Sequence, residues 1–176
     1  MAAFSLERVR EHFLFQSLTD AEWESLTVVL RLQRYQPAQV IFTEGDSSRD
    51  LLILLNGTVE LRRQFVRHPG DYLLATLQPG QLLGEMSLLT GYRRSATAVA
   101  LAEVEAALLA PSSLEGLGTA LQAKLYRACA LMMSERLYYL DTMFTDLLEQ
   151  RGAENAVSTM NALHQRYQSN LDQARS

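Results

Sequence analysis

From Leu32 to about Ala110 short β-prone runs alternate with turn signals, and no other feature limits the fold as strongly. The runs are VIFTE, LLILL, TVELRRQFV, YLLATL and SATAVALAEVEAALLA. Between them stand Gln36-Pro37, Gly45-Asp46, Asn56-Gly57, His68-Pro69-Gly70-Asp71 and Gln78-Pro79-Gly80. Many short strands at this spacing, with no long helix between them, predict an antiparallel barrel or roll. Asn56-Gly57, between LLILL and TVELR, is the strongest hairpin signal, because a type I′ turn needs positive φ at both central residues.

Helical periodicity flanks this region. Phe4, Leu6, Val9 and Phe13 recur at helical intervals. Ser17-Leu18-Thr19-Asp20 then offers caps to a second helix, with Trp23, Leu26, Thr27 and Leu30 on one face. After Pro111, the residues Leu121, Leu125, Ala128, Met132, Leu137, Leu140, Phe144 and Leu147 keep three- and four-residue spacing with one five-residue step. This predicts a long amphipathic helix over roughly 114–150, ended by Gly152 and followed by a polar helix over about 153–172. The expected fold is therefore mainly β with flanking helices. A jelly-roll-like antiparallel β-roll (32–110) sits between N-terminal helices (1–31) and a C-terminal lid or dimerisation helix with a polar tail helix (111–176), all in one domain. The long apolar stripe has two uses, packing on its own barrel and pairing with its counterpart in a second chain; both can hold along different stretches.

Composition narrows the function. The 176 residues are 48% hydrophobic and 20% charged, enough apolar content for a core and far from the make-up of a disordered chain. Sixteen basic residues, of which Lys124 is the one Lys, stand against twenty acidic ones for a net charge of −4. No global basic field draws the chain to nucleic acid or an anionic membrane. A single Cys excludes an internal disulfide framework and a cysteine zinc cluster, and His12, His68 and His164 lie far apart in sequence. No metal site, cofactor or catalytic residue is therefore expected. The start, MAAFSLERVREHF, carries charges too early for a signal peptide, and no run approaches the ~20 apolar residues that span a bilayer. A soluble, cytoplasmic protein is the expectation.

One stretch breaks the alternation: Leu82-Leu83-Gly84-Glu85-Met86-Ser87-Leu88-Leu89-Thr90-Gly91-Tyr92-Arg93-Arg94-Ser95-Ala96-Thr97-Ala98. A strand ends at a Gly, one helical turn follows, and a Gly-bearing turn leads to an Arg that opens the next strand. The first turn of such a helix presents free backbone N–H groups to an anion. Gly84 allows close approach to the backbone, and Arg94 supplies a planar fork of donors suited to phosphate. A carboxylate at Glu85 beside an anion makes sense when the ligand carries a hydroxyl next to its phosphate, as a ribose does.

The pattern Gly84-Glu85-x-Ser87-Leu88-Leu89-x-Gly91-x-x-Arg94-Ser95-Ala96 resembles the phosphate-binding cassette of the cyclic nucleotide-binding domain. Catabolite activator protein, protein kinase A regulatory subunits and cyclic-nucleotide-gated channels share that domain. The resemblance covers roughly residues 10–150, and Gly45-Asp46 and Asn56-Gly57 fall where the family places glycines. It implies that Glu85 accepts from the ribose 2′-OH and that Arg94 pairs with the cyclic phosphate. It also implies that Gly84 and the amides of Met86 and Ser87 line phosphate and ribose, with Ser95 at the small-hydroxyl position. Ser87 reads as helix framework and Arg93 as a solvated neighbour. Aligning Arg136-Leu137 with the activators' long helix puts Leu140, Asp141 and Thr142 near the purine, with Leu137 and Leu140 as an apolar lid. The activators have hydroxyl residues where this chain has Leu140-Asp141, so the choice among cyclic AMP, cyclic GMP and a cyclic dinucleotide stays open, with cyclic AMP favoured.

The bacterial factors of that family add a winged helix-turn-helix of roughly 60–70 residues after the long helix. Residues 111–176 hold six basic and seven acidic residues and no basic reading helix, which argues against direct DNA binding. Kinase, exchange-factor and channel segments are not evident either. The expectation is a cyclic-nucleotide-responsive signalling module, a homodimer that acts through an unidentified effector protein or through dimer rearrangement. The alternative is a ligand-free structural or interaction protein of the same fold that dimerises through the C-terminal helix. An enzyme is disfavoured for want of clustered ligands or an activated nucleophile.

Overall fold

The computed structural model describes residues 6, 10–12, 15–65, 69–150, 157–163 and 165. These fall in two compact units, Met1–Met132 and Met133–Ser176. In the first unit, helix α1 (Asp20–Val29) begins at a reciprocal capping box. The Thr19 hydroxyl accepts from Glu22 N, and the Glu22 carboxylate accepts from Thr19 N at 2.7 Å. The same carboxylate accepts from Lys124 Nζ at 2.6 Å, and Lys124 also donates to Ser17 O. Trp23 and Leu26 are buried, as their spacing predicts. Of the expected first helix, Leu6 is helical, whereas Phe4, Val9 and Phe13 lie outside the described residues.

Eight strands follow: β1 (Arg31–Tyr35), β2 (Val40–Phe42), β3 (Leu51–Asn56), β4 (Val59–Gln64), β5 (Asp71–Leu77), β6 (Leu82–Leu83), β7 (Thr97–Ala100) and β8 (Val104–Leu109). They form two four-stranded antiparallel sheets, ordered β1-β8-β3-β6 and β2-β7-β4-β5. The run LLILL is apolar throughout because β3 is buried on both faces. Leu51, Ile53 and Leu55 join Leu26 and Leu109 in one core, while Leu52 and Leu54 join Tyr35, Phe42, Val59 and Ala98 in the other.

The antiparallel roll is as expected, but three local readings change. Asn56-Gly57 does not close a hairpin: β3 and β4 lie in different sheets, and of the two residues Gly57 alone has positive φ. Its Cα presses on the backbone of Glu103-Val104, where a Cβ would lie 2.3 Å from Glu103 O, so the glycine serves a close crossing between sheets. SATAVALAEVEAALLA is two strands, β7 and β8, one in each sheet. The long helix is also interrupted near its expected start. A short α3 (Pro111–Glu115) stops at Gly116, and α4 runs from Thr119 to Gln150.

The apolar stripe of α4 is two stripes. Leu121, Leu125, Ala128, Cys129 and Met132 are buried in the first unit's core. Beyond the five-residue step, in the second unit, Leu137, Leu140, Met143 and Leu147 are exposed, and Leu148 is the one buried hydrophobic among the described residues. Residues 157–163 are helical, with Val157, Met160 and Leu163 exposed; the rest of the expected tail helix lies outside the described residues. No helix among the described residues is long and apolar enough to cross a membrane.

Candidate functional site

Strand β6 stops at Gly84, whose φ of 79° and ψ of 9° place it in the left-handed region that a Cβ disfavours. Gly84 is the N-cap of α2 (Glu85–Thr90), which ends at a second left-handed glycine, Gly91, whose N–H donates to Ser87 O. This one-turn helix sets the amides of Met86 and Ser87 in its first turn, without intrahelical acceptors. Glu85 is 3% exposed and Ser87 is also buried, both polar groups on the inner side of the cassette.

Arg94 organises the rest. Its backbone is stapled to the Gly45-Asp46 turn, Arg94 N donating to Asp46 O and Gly45 N to Arg94 O, each at 2.8 Å. The side chain turns inward and is 3% exposed. Nε donates to Ser48 Oγ at 3.1 Å and Nη2 donates to Asp50 O at 2.8 Å. The guanidinium carbon lies 4.3 Å from the centre of the Phe42 ring. Nη1 is buried with no hydrogen-bond partner among the described residues. It lies against Gly84, where a Cβ would come within 1.9 Å of it. Burial pushes the guanidinium pKa down from its ordinary value, and the charges of Asp50, Glu85 and Asp46 oppose that shift. A guanidinium stays cationic at neutral pH, so a buried, charged donor is held in place with one nitrogen uncommitted. A buried donor left unpaired costs on the order of 1–3 kcal/mol, a cost that an anion beside Gly84 would remove.

The other expected residues distribute as follows. Met86 and Ser95 are exposed and adjacent, the Ser95 hydroxyl donating to the Met86 sulfur at 3.5 Å. Arg93 is exposed, and its Nη1 donates to Gly45 O. Gly84, Glu85 and Arg94 meet, and Met86 and Ser87 follow on the same helical turn. Leu137, Leu140 and Asp141 belong to the second unit and are exposed on α4, Leu137 to 68%. Three residues that position Arg94 escape a reading of the cassette alone: Phe42, Ser48 and Asp50. They come from β2 and the loop before β3, some forty to fifty residues earlier in the chain. Among the described residues no cluster of His, Cys, Asp or Glu is arranged to hold a metal ion.

Comparisons with known proteins identify the family. Residues 32–119 match the model of the cyclic nucleotide-binding domain. The chain is 33% identical over 147 residues to the Cyclic AMP receptor protein of Thermus thermophilus, covering 82% of this chain and 66% of that one. It is 30% identical over 121 residues to a cAMP-dependent protein kinase regulatory subunit of Pyricularia oryzae, covering 66% of this chain and 30% of that one. It thus spans less than two thirds of the length of each of these relatives. Among solved structures, a cyclic nucleotide-binding domain from Methylobacillus flagellatus matches at a TM-score of 0.65 and 25% identity, covering 85% of this chain and 83% of that one. The glycine-flanked turn, the buried carboxylate, the buried arginine and the family match make one conclusion: the chain belongs to the cyclic nucleotide-binding domain family.

Proposed function

We propose that the chain is a regulatory module that senses a cyclic nucleotide, cyclic AMP in first place, and has no catalytic step, resident cofactor or metal of its own. The observation that carries this reading is the buried Arg94, with Nη1 uncommitted and packed against Gly84, whose missing Cβ lets the guanidinium lie over the cassette backbone. In this reading Arg94 Nη1 and the amides of Met86 and Ser87 receive the cyclic phosphate, and Glu85 accepts from the ribose 2′-OH. Ser95, next to Met86, serves the phosphate or the purine. Leu137, Leu140 and Asp141 are the proposed base and lid contacts. Leu137, Leu140 and Asp141 are alike exposed on α4, and an apolar lid of Leu137 and Leu140 accepts either purine. Asp141→Ala tests this: a fall in cyclic GMP binding alone would assign Asp141 to guanine.

Binding acts on α4, which re-seats and alters a protein-facing surface in the cytoplasm. The exposed Leu137, Leu140 and Leu147 suit a homodimer contact, and an effector protein reads the rearrangement. DNA contact and membrane association are not part of the proposal. Thermal melting with cyclic AMP and with cyclic GMP is the test. Ligand at 100 times Kd stabilises the folded state by ~2.7 kcal/mol. A shift with cyclic AMP supports the proposal. No shift with either nucleotide overturns it in favour of a ligand-free interaction protein.

A further inference from the structure

The guanidinium of Arg94 is a flat group with three nitrogens and two faces, and its fixed orientation needs more than its two hydrogen bonds. Ser48 Oγ and Asp50 O hold Nε and Nη2 along two edges. Both acceptors sit in the 47–50 loop, so they constrain the plane only as firmly as that loop is fixed. The guanidinium carbon also lies over the ring of Phe42, which comes from a different element, β2, where Phe42 pairs with Ala98 of β7. The Phe42 ring is itself buried in the core with Tyr35, Leu52, Leu54 and Leu83. Leu83 immediately precedes Gly84, so one apolar cluster carries both the ring under Arg94 and the strand that delivers the glycine opposite Nη1. An aromatic face attracts a cation within ~6 Å of its centre, most of all where water is excluded.

We propose that Phe42 is a positioning residue for the ligand phosphate. Its ring is the platform that fixes the plane of Arg94, so that Nη1 points along one direction over Gly84 and addresses one of the two exocyclic phosphate oxygens. The proposal rests on the reading of Arg94 as the phosphate group's partner. An aliphatic residue of similar size at 42 fills the core but offers no π face, so the guanidinium plane tilts by rotation about Cδ–Nε.

Two measurements on the full chain test this. The first needs no ligand: in the wild type the side-chain Nε–H and Cδ–H resonances of Arg94 carry a ring-current shift and rotation of the guanidinium is slow. Phe42→Leu abolishes both and Phe42→Tyr keeps them. The second is the ratio of Kd values for the two phosphorothioate diastereomers of cyclic AMP, which place sulfur on one or the other exocyclic oxygen. The wild type discriminates between them about tenfold or more. Phe42→Leu loses most of that ratio, and Phe42→Tyr restores it. A Phe42 that only fills the core would change melting temperature and leave the ratio intact, which overturns the proposal while the phosphate reading stands. Unshifted Arg94 resonances in the wild type overturn it as well. A wild type that binds neither diastereomer nor cyclic AMP refutes the reading beneath it, and the proposal with it.

Discussion

Replacing Gly84 by Ala puts one methyl group where the site is tightest. The new Cβ would lie 1.9 Å from Arg94 Nη1, 2.9 Å from Arg94 Cζ and 2.8 Å from Asp50 O, distances no real Cβ tolerates. Asp50 O is also the acceptor of Arg94 Nη2, so a shift of the loop breaks the bond that holds the guanidinium. The φ of 79° adds ~1–2 kcal/mol for an L-residue in the left-handed region. Expelling Arg94 forfeits two bonds from a charged donor, worth ~1.5–3 kcal/mol each before hydration of the freed guanidinium offsets part of the loss. The platform contact with Phe42 goes too. A net destabilisation of ~2–4 kcal/mol is expected, within the range for strain combined with a broken buried network. Cyclic AMP affinity should fall at least ~30-fold, the equivalent of ~2 kcal/mol. Gly91→Ala is the control. Its φ is 73°, but the nearest atom to a new Cβ is 3.7 Å away, so it carries the backbone cost without the collision. Chemical denaturation gives the stabilities and calorimetric titration the affinities. Cyclic AMP binding by Gly84→Ala within about threefold of wild type, or an equal loss in Gly91→Ala, would refute the steric argument.

Glu85→Gln should weaken cyclic AMP by roughly tenfold, as for a lost bond to a charged acceptor, yet hardly change the affinity for 2′-deoxy cyclic AMP. Equal losses for both ligands in a titration would remove Glu85 from the ribose. Glu22 is held at a pKa of about 2, below the ordinary 4.5, chiefly by its bond from Lys124 and then by the Thr19 backbone. A depressed carboxyl stabilises the fold fully above its unfolded pKa, and that contribution fades as pH falls from 4.5 toward about 2. Glu22→Gln should therefore be less stable at pH 7 and lose less on acidification through that window; parallel stability–pH curves would contradict this. Leu125→Ala should cost ~2–5 kcal/mol in a denaturant melt because Leu125 is core. Leu137→Glu should shift sedimentation toward monomer and remove the concentration dependence of the melt; a wild type already monomeric at tens of micromolar would contradict the dimer.

The glycine-flanked turn that brings a buried Glu85 and Arg94 to Gly84 was legible because its determinants are local. Gly84, Glu85 and Arg94 lie within eleven consecutive positions, and Gly84 meets the demand for positive φ that starts the turn. The two-sheet roll was legible from run lengths and turns. The hairpin at Asn56-Gly57 was not what the dipeptide suggested, because the tertiary crossing against Glu103 takes precedence over the local turn preference. Phe42, Ser48 and Asp50 were hidden because nothing in β2 or the 47–50 loop marks them; their role exists only once the fold brings Arg94 to them. The five-residue step from Met132 to Leu137 was visible, but its meaning was not. It marks where α4 stops lining the core and its apolar residues become exposed, which only burial reveals.

The central claim is that Arg94 Nη1 is kept for a phosphate. Calorimetric titration of cyclic AMP into the wild type, Arg94→Ala and Arg94→Lys, each first checked for an intact fold by circular dichroism, tests it most directly. Losing the charge-assisted fork should cost ~2–4 kcal/mol, so Arg94→Ala is expected to bind ~30- to ~1,000-fold more weakly. Arg94→Lys should also bind worse than wild type, since a point charge cannot keep bonds to Ser48 and Asp50 while serving the ligand. Wild-type affinity in a folded Arg94→Ala would contradict the account.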